Sequence, residues 1–173
     1  DDAMIQLFKE RGAFLCTTIS PALPYAFFDR SITNATEVEQ YNGKIVFEGI
    51  VDCSKAAIAN GIPVVLGNDV GCPWITQYDF WRELYYFHKY VGVPNAFTLY
   101  TATLRSAELA GIGAITGSIQ KGKSADMIVT AGNPLEDLRA LRNLEMVFAG
   151  DTVIEHPKVK KRKQVEAELD KYL

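Results

Sequence analysis

The run from Gly61 to Gly71 constrains this chain more than any other stretch. Ile62 to Leu66 form a short, continuous apolar segment bounded by glycines, the pattern of a strand buried on both faces. Such strands belong to parallel sheets covered by helices on both sides. The run ends abruptly in a Gly-rich turn that carries one carboxylate, Asp69. A buried strand that delivers an acid to its C-terminal tip is how a β/α barrel builds a reactive site. Gly67 and Gly71 let the backbone turn sharply and leave room for a ligand. On these residues alone Asp69 has two readings: a catalytic acid, or a side chain that caps the following turn.

The rest of the chain supplies the context of that strand. Met4, Ile5, Leu7 and Phe8, with charges between them and Gly12 behind, predict a short amphipathic helix over 1–11 with an acidic start. Ala13 to Ile19 reads as a second buried strand, closed by Pro21 and Pro24. A long loop over 21–36, carrying Tyr25, Phe27 and Phe28, is expected at its C-terminal end, where functional loops concentrate. Glu37 to Asn60 has a helical pattern that Gly61 ends. Two further helices are predicted over 79–90 and 95–110, separated by Gly92 and Pro94, with Asn95 as N-cap of the second. Beyond Gly111 the segments are short and Gly-rich. Strands around Met127–Val129 and Met146–Phe148 alternate with turns at 121–123, 132–134 and 150–151 and a short helix over 134–142. Gln164 to Leu173 reads as a charged terminal helix. Buried strands alternating with helices predict parallel β/α units. Two units cannot close a sheet or barrel, so the expectation is part of a larger α/β barrel with a small β appendage.

Charge and cysteine content narrow the function classes. Eighteen basic against 21 acidic residues give a net charge of −3, which excludes the basic footprint of a nucleic-acid binder. The one basic cluster, Lys158 to Lys163, reads as a solvated tail or helix start. Cys16, Cys53 and Cys72 are odd in number and lack C-x-x-C spacing, which suggests a reducing, cytoplasmic setting with no disulfide framework. Cys16 and Cys53 sit in strand and helix patterns and are expected in the core. No run approaches the roughly 20 apolar residues of a membrane span. His88, beside Phe87 and Tyr90, and His156, beside Pro157, read as packed or surface histidines. Lys121 and Lys123 flank a turn glycine with no helix N-terminus behind it, so a phosphate cradle is not expected there. No G-x-G-x-x-G follows a strand, which argues against a dinucleotide-binding domain.

Three segments together resemble one family. Gly67 to Gly71 resembles the glycine-flanked acidic turn after the last barrel strand of the amidohydrolase superfamily. Thr101 to Thr103, followed by Ser106 to Gly111, resembles the helix that comes next. Gly117 to Val129 resembles the G-S-I-x-x-G-K-x-A-D signature where that family's chain returns to a small β-sandwich, and Asn133 to Asp137 and Val147 to Asp151 continue it. The likeness is greatest to the imidazolonepropionase-like and Xaa-Pro dipeptidase-like branch.

The resemblance implies a (β/α)8 TIM barrel holding one or two divalent metals, zinc being expected. Asp69 would be the last metal ligand and a proton shuttle, and the histidine and other ligands would lie outside this chain. The chain would be a C-terminal portion: 1–112 a partial barrel with its last two β/α units, 113–157 the return strands of the sandwich, 158–173 a charged helix or tail. Its activity would be hydrolysis of amide, cyclic amide or dipeptide-like C–N bonds in a small-molecule substrate. The isolated piece would be inactive and bind no metal tightly. The other reading is a non-catalytic module that associates with itself, as a homo-oligomer, or with the missing N-terminal part. Asn68, Trp74, Gln77 and Tyr78 follow or flank the acid and are pocket candidates, with packing at the barrel rim as the alternative. Asp126 is expected to fix the sandwich return by hydrogen bonds.

Overall fold

Two parallel strands organise the larger part of the chain, which a computed structural model describes over residues 1–173. β1 (Leu15–Thr17) pairs with β2 (Val64–Leu66) in the register Leu15↔Val64, Cys16↔Val65, Thr17↔Leu66. A helix precedes them, α1 (Asp2–Arg11), capped by the Asp1 carboxylate and stopped by Gly12 in the left-handed region. Parallel strands need a long crossover. Here it comprises α2 (Ala22–Phe27), α3 (Arg30–Thr33) and α4 (Glu37–Ala59).

α4 begins with a capping box. The Thr36 hydroxyl accepts from the Glu39 N–H, and the Glu39 carboxylate accepts from the Thr36 N–H at 2.7 Å. Its buried stripe, Phe47, Val51, Ser54 and Ala57, follows the helical period and faces the core. The expected loop over 21–36 is in fact two short helices. Pro21 and Pro24 occupy the cap and first turn of α2, where no N–H partner is required, so they start the helix rather than break it. Ala22, Leu23, Pro24 and Ala26 are buried there.

After β2 come α5 (Phe80–Tyr86), continuing into a π-helical turn (Phe87–Val91), and then α6 (Asn95–Ala102) and α7 (Leu104–Leu109). The single helix expected over 95–110 is divided at Thr103, whose backbone leaves the helical region. The Thr103 and Ser106 hydroxyls donate to the Leu99 and Thr101 carbonyls at 2.7 Å, in competition with the helical ladder. Pro94, not Asn95, stands at the N-cap; the Asn95 amide donates instead to the Leu135 carbonyl.

β3 (Met127–Thr130), β4 (Leu144–Ala149) and β5 (Thr152–Glu155) form a separate antiparallel sheet with β4 central. A 3₁₀ turn (Leu138–Arg142) takes the place of the expected short helix, and the β4–β5 turn falls at Gly150–Asp151 as its sequence predicts. α8 (Lys163–Leu169) and a 3₁₀ turn (Asp170–Tyr172) close the chain. Lys158 to Lys163 are exposed, but the terminal helix is not a free tail: Leu169 is buried in the main core with Phe28, Phe47, Leu84 and Phe87.

Cys16 and Cys53 are exposed, against expectation. Side chains alternate along a strand. Thr17 turns toward α4, where the Ser54 hydroxyl reaches it at 2.9 Å, so Cys16 points to the opposite, uncovered face. Cys53 lies beside the buried stripe of α4 rather than in it. No helix is long and apolar enough to cross a membrane.

Candidate active site

β2 is buried at all three positions, and its C-terminal end carries the chain into the turn that holds Asp69. The Gly67 N–H donates to the Thr17 carbonyl at 2.9 Å, extending the pairing one step beyond the strands. A Cβ on Gly67 would lie 3.0 Å from Cys16 Sγ and 3.2 Å from Thr18 Cγ2. The two strand tips are therefore as close as they are because this residue has no side chain. Asp69 then adopts a left-handed conformation, φ 50°, which aspartate tolerates better than most residues.

The Asp69 side chain is exposed and accepts from the Cys72 thiol at 3.1 Å. That bond and the nearby negative charge push the Cys72 thiol above its usual range, so it stays a protonated donor. The turn itself is closed by the backbone, with the Cys72 N–H donating to the Asp69 carbonyl at 3.2 Å. The carboxylate thus keeps accepting capacity for another group. It borders a cleft of about 440 Å³ together with Thr18, Pro21, Tyr25, Asn42 and Val46.

The other pocket candidates are placed differently. Asn68 is half-buried within the turn. Trp74 is half-buried with its ring edge-on to Phe28 at 5.1 Å. Gln77 and Tyr78 border a second groove, of about 270 Å³, that also involves Trp81, Leu99, Ile128 and Leu144. The Tyr78 hydroxyl accepts from the Arg162 N–H at 2.7 Å. Trp74, Gln77 and Tyr78 do not line the cleft of Asp69.

His88 Nδ1 bonds the Val93 carbonyl at 2.7 Å, a local structural contact, and His156 is exposed beside Glu145. Lys123 folds the Gly117–Val129 signature onto itself, donating to the Gly113 carbonyl and the Ser118 hydroxyl. The Asp126 carboxylate accepts from the Gly150 N–H at 3.0 Å and so ties β3 to the β4–β5 turn. Hydrogen bonds from Thr116, Gly150 and Ser124 hold its carboxyl below the usual range.

Glu83 escaped the sequence reading. It is fully buried on α5, and its carboxylate accepts from the Ile19 and Ser20 N–H groups, both at 2.7 Å, and from the Ser20 hydroxyl. Burial pushes its carboxyl up to about 7 against the pull of those donors. The available signal was an acid within the aromatic run Phe80–Phe87, where a solvated charge is out of place.

The residues present do not make a metal site by themselves. No group of three or more His, Cys, Asp and Glu side chains converges, and Asp69 offers a single carboxylate.

Comparison with known proteins places these features. The model of the amidohydrolase family matches residues 48–154. The structure of a Bifidobacterium longum protein provisionally assigned as a prolidase superposes with a TM-score of 0.94 at 35% identity, over 99% of this chain and 44% of that one. A Xaa-Pro dipeptidase with methionine bound in its active site gives 0.75 at 27% identity, over 90% and 37%. The ochratoxinase of A. niger, at 22% identity and a TM-score of 0.73, shares the fold over 92% of this chain and 36% of its own. The chain therefore spans less than half the length of each of these structures. No curated protein matches it.

Proposed function

We propose, since this chain belongs to the amidohydrolase family, that it forms the C-terminal part of a hydrolase acting on C–N bonds of small amide or dipeptide-like substrates. The observation that carries the reading is the exposed Asp69 carboxylate at the tip of a buried parallel strand, bordering a cleft. The Xaa-Pro dipeptidase relative supports a dipeptide-like substrate. We assign 1–112 to a partial (β/α)8 barrel, 113–157 to the return strands of a small sandwich, and 158–173 to a helix docked on the first part. Asp69 would accept a proton from the attacking water and pass it to the leaving nitrogen, a role a carboxylate fills when held within hydrogen-bond reach of the reacting atoms. A divalent metal, with zinc expected, supplies an activated water when bound to enzymes of this kind. This chain offers it one donor, and the remaining ligands would come from chain outside residues 1–173. Asn68 would support the turn; Trp74, Gln77 and Tyr78 remain pocket candidates only if the rest of the molecule brings them to the substrate.

The test is Asp69→Asn in the intact protein, assayed against a panel of Xaa-Pro dipeptides. Turnover is expected to fall by about 10²–10⁴, the usual contribution of a positioned acid–base group. Turnover within a few-fold of wild type would sink the assignment.

A second reading, a non-catalytic module that pairs with itself or with a missing part, is favoured by one feature. An open groove of about 900 Å³ runs between α6–α7 and the small sheet, lined by Leu104, Ala107, Ile119, Met127 and Phe148. Metal analysis and turnover of the 173-residue chain alone separate the readings: stoichiometric zinc with activity would refute the dependence on further chain.

A further inference from the structure

We propose that Glu83 is a positioning residue of the Asp69 site, holding the tip of β1 in place by binding Ile19 and Ser20. The inference rests on the reading of Asp69 as the reacting carboxylate. Its geometry is independent of that reading. Ile19 and Ser20 stand between Thr18 and Pro21, and both of these neighbours wall the cleft of Asp69. The Glu83 carboxylate takes the Ile19 N–H on one oxygen and both the Ser20 N–H and hydroxyl on the other. The link joins residues more than 60 positions apart, from the strand tip on one side of the cleft to the helix that follows the Asp69 turn.

A merely structural end to β1 would need only acceptors for two N–H groups, which a neutral side chain or water provides. Here a carboxyl group is buried completely, with no cation against it. Its neighbour Arg82 turns to Asp79, Glu166 and Asp170 instead. The Cys16 thiol, on the outward face of β1, makes no hydrogen bond to Glu83; burial pushes it up, and the Glu83 charge adds to that. Burying a carboxylate is costly unless hydrogen bonds compensate it. Three convergent donors do so, and they make the turn's position depend on this one group. A misplacement of about 1 Å at a reacting site lowers rates by about 100-fold, so a turn released from Glu83 moves Thr18 and Pro21 enough to matter.

The experiment uses the intact protein with Glu83→Gln and Ser20→Ala. In Glu83→Gln, amide exchange at Ile19 and Ser20 is expected to accelerate by about tenfold or more while β3–β5 keep their rates, as in a local opening. Hydrolysis of Ala-Pro is expected to lose about 100-fold in kcat with KM little changed. Unchanged exchange at Ile19 and Ser20 overturns the proposal, and so does faster exchange with unchanged kcat. If Glu83→Gln loses protection throughout, Ser20→Ala decides. Removing one donor to the ionised form should move the Glu83 carboxyl titration, followed by infrared difference spectroscopy, to higher pH; an unmoved titration overturns the clamp. If Glu83→Gln shows the local exchange effect while even the wild type never hydrolyses Ala-Pro, the clamp stands and the result counts against the dipeptide reading.

Discussion

At the residue scale, two glycines of one helix should respond in opposite ways to the same substitution. A Cβ on Gly43 would sit 2.8 Å from the Tyr25 carbonyl carbon, a backbone atom that cannot swing aside. The helical gain of alanine over glycine, about 1 kcal/mol, is outweighed by overpacking of about 1–3 kcal/mol. Gly49, also in α4, has nothing within 4 Å of its would-be Cβ. Gly43→Ala should lower the midpoint of thermal unfolding and Gly49→Ala should raise it; the reverse order would contradict the close approach of α2 and α4. Glu83 adds a pH dependence. Its carboxyl titrates at about 7 when folded, against an ordinary 4.5 when unfolded. Between those values the folded state holds a proton that the unfolded state has lost, so stability is greatest below about 4.5 and falls as pH rises through about 7. The span corresponds to about 3 kcal/mol. Urea unfolding at pH 5 and pH 8 should show this loss in wild type and not in Glu83→Gln.

At the element scale, α8 is held by a buried ionic cluster rather than by apolar contact alone. Arg82 reaches Asp170 at 2.6 Å, Glu166 at 3.3 Å and Asp79 at 3.5 Å, while Arg142 reaches Glu166 and Asp170 at 3.0 and 2.9 Å. Both guanidinium groups lie over the Trp81 ring. Burial and the adjacent Asp79 carboxylate push Glu166 up, against the two arginines; burial opposes, but hydrogen bonds from Arg82 and Arg142 hold Asp170 down. The Tyr172 ring, stacked on Phe28 at 5.3 Å, extends the attachment to the segment after α2. Arg82→Met takes the guanidinium from buried Asp79 and leaves Glu166 and Asp170 to the partly exposed Arg142 alone, and should cost about 3–5 kcal/mol. Arg142 is partly exposed, and Arg142→Met should cost about 1 kcal/mol or less. Amide exchange across 163–169 checks both: Arg82→Met should deprotect α8 well beyond Arg142→Met, and equal effects would contradict the dominance of the buried guanidinium.

At the scale of the whole molecule, the surface is unfinished. Both outer edges of the two-stranded sheet are unpaired, and Ile119, Ile115 and Leu135 are largely exposed, Ile119 at 88%. Free edges and apolar patches of this kind promote association. The 173-residue chain alone should therefore scatter light as an oligomer at micromolar concentration, and Ile119→Lys should shift it toward monomer. A wild-type chain that stays monomeric would count against the incomplete-barrel picture. The family was legible before any coordinates, because the Gly117–Val129 signature depends on local turn chemistry. Lys123 makes its bonds to Gly113, Thr116 and Ser118, all within ten residues, and Asp126 accepts from the adjoining hairpin. Asp69 was legible as a strand-tip acid for the same reason: strand, glycine and acid are consecutive.

Consecutive residues determined what this sequence could specify by itself: the long helix α4, the apolar run of β2, the glycines that let the chain turn beyond it, and the acid between them. Tertiary structure alone decided which residues meet from far apart. Glu83 faces Ile19 and Ser20, Arg82 faces Glu166 and Asp170, and Cys16 faces outward, because those outcomes depend on which helix covers which side of the sheet. Periodicity reports that a face is buried; it carries no information about what buries it. That is why the strand-tip carboxylate of Asp69 was visible in the chain and the buried partner of Ile19 and Ser20, Glu83, was not.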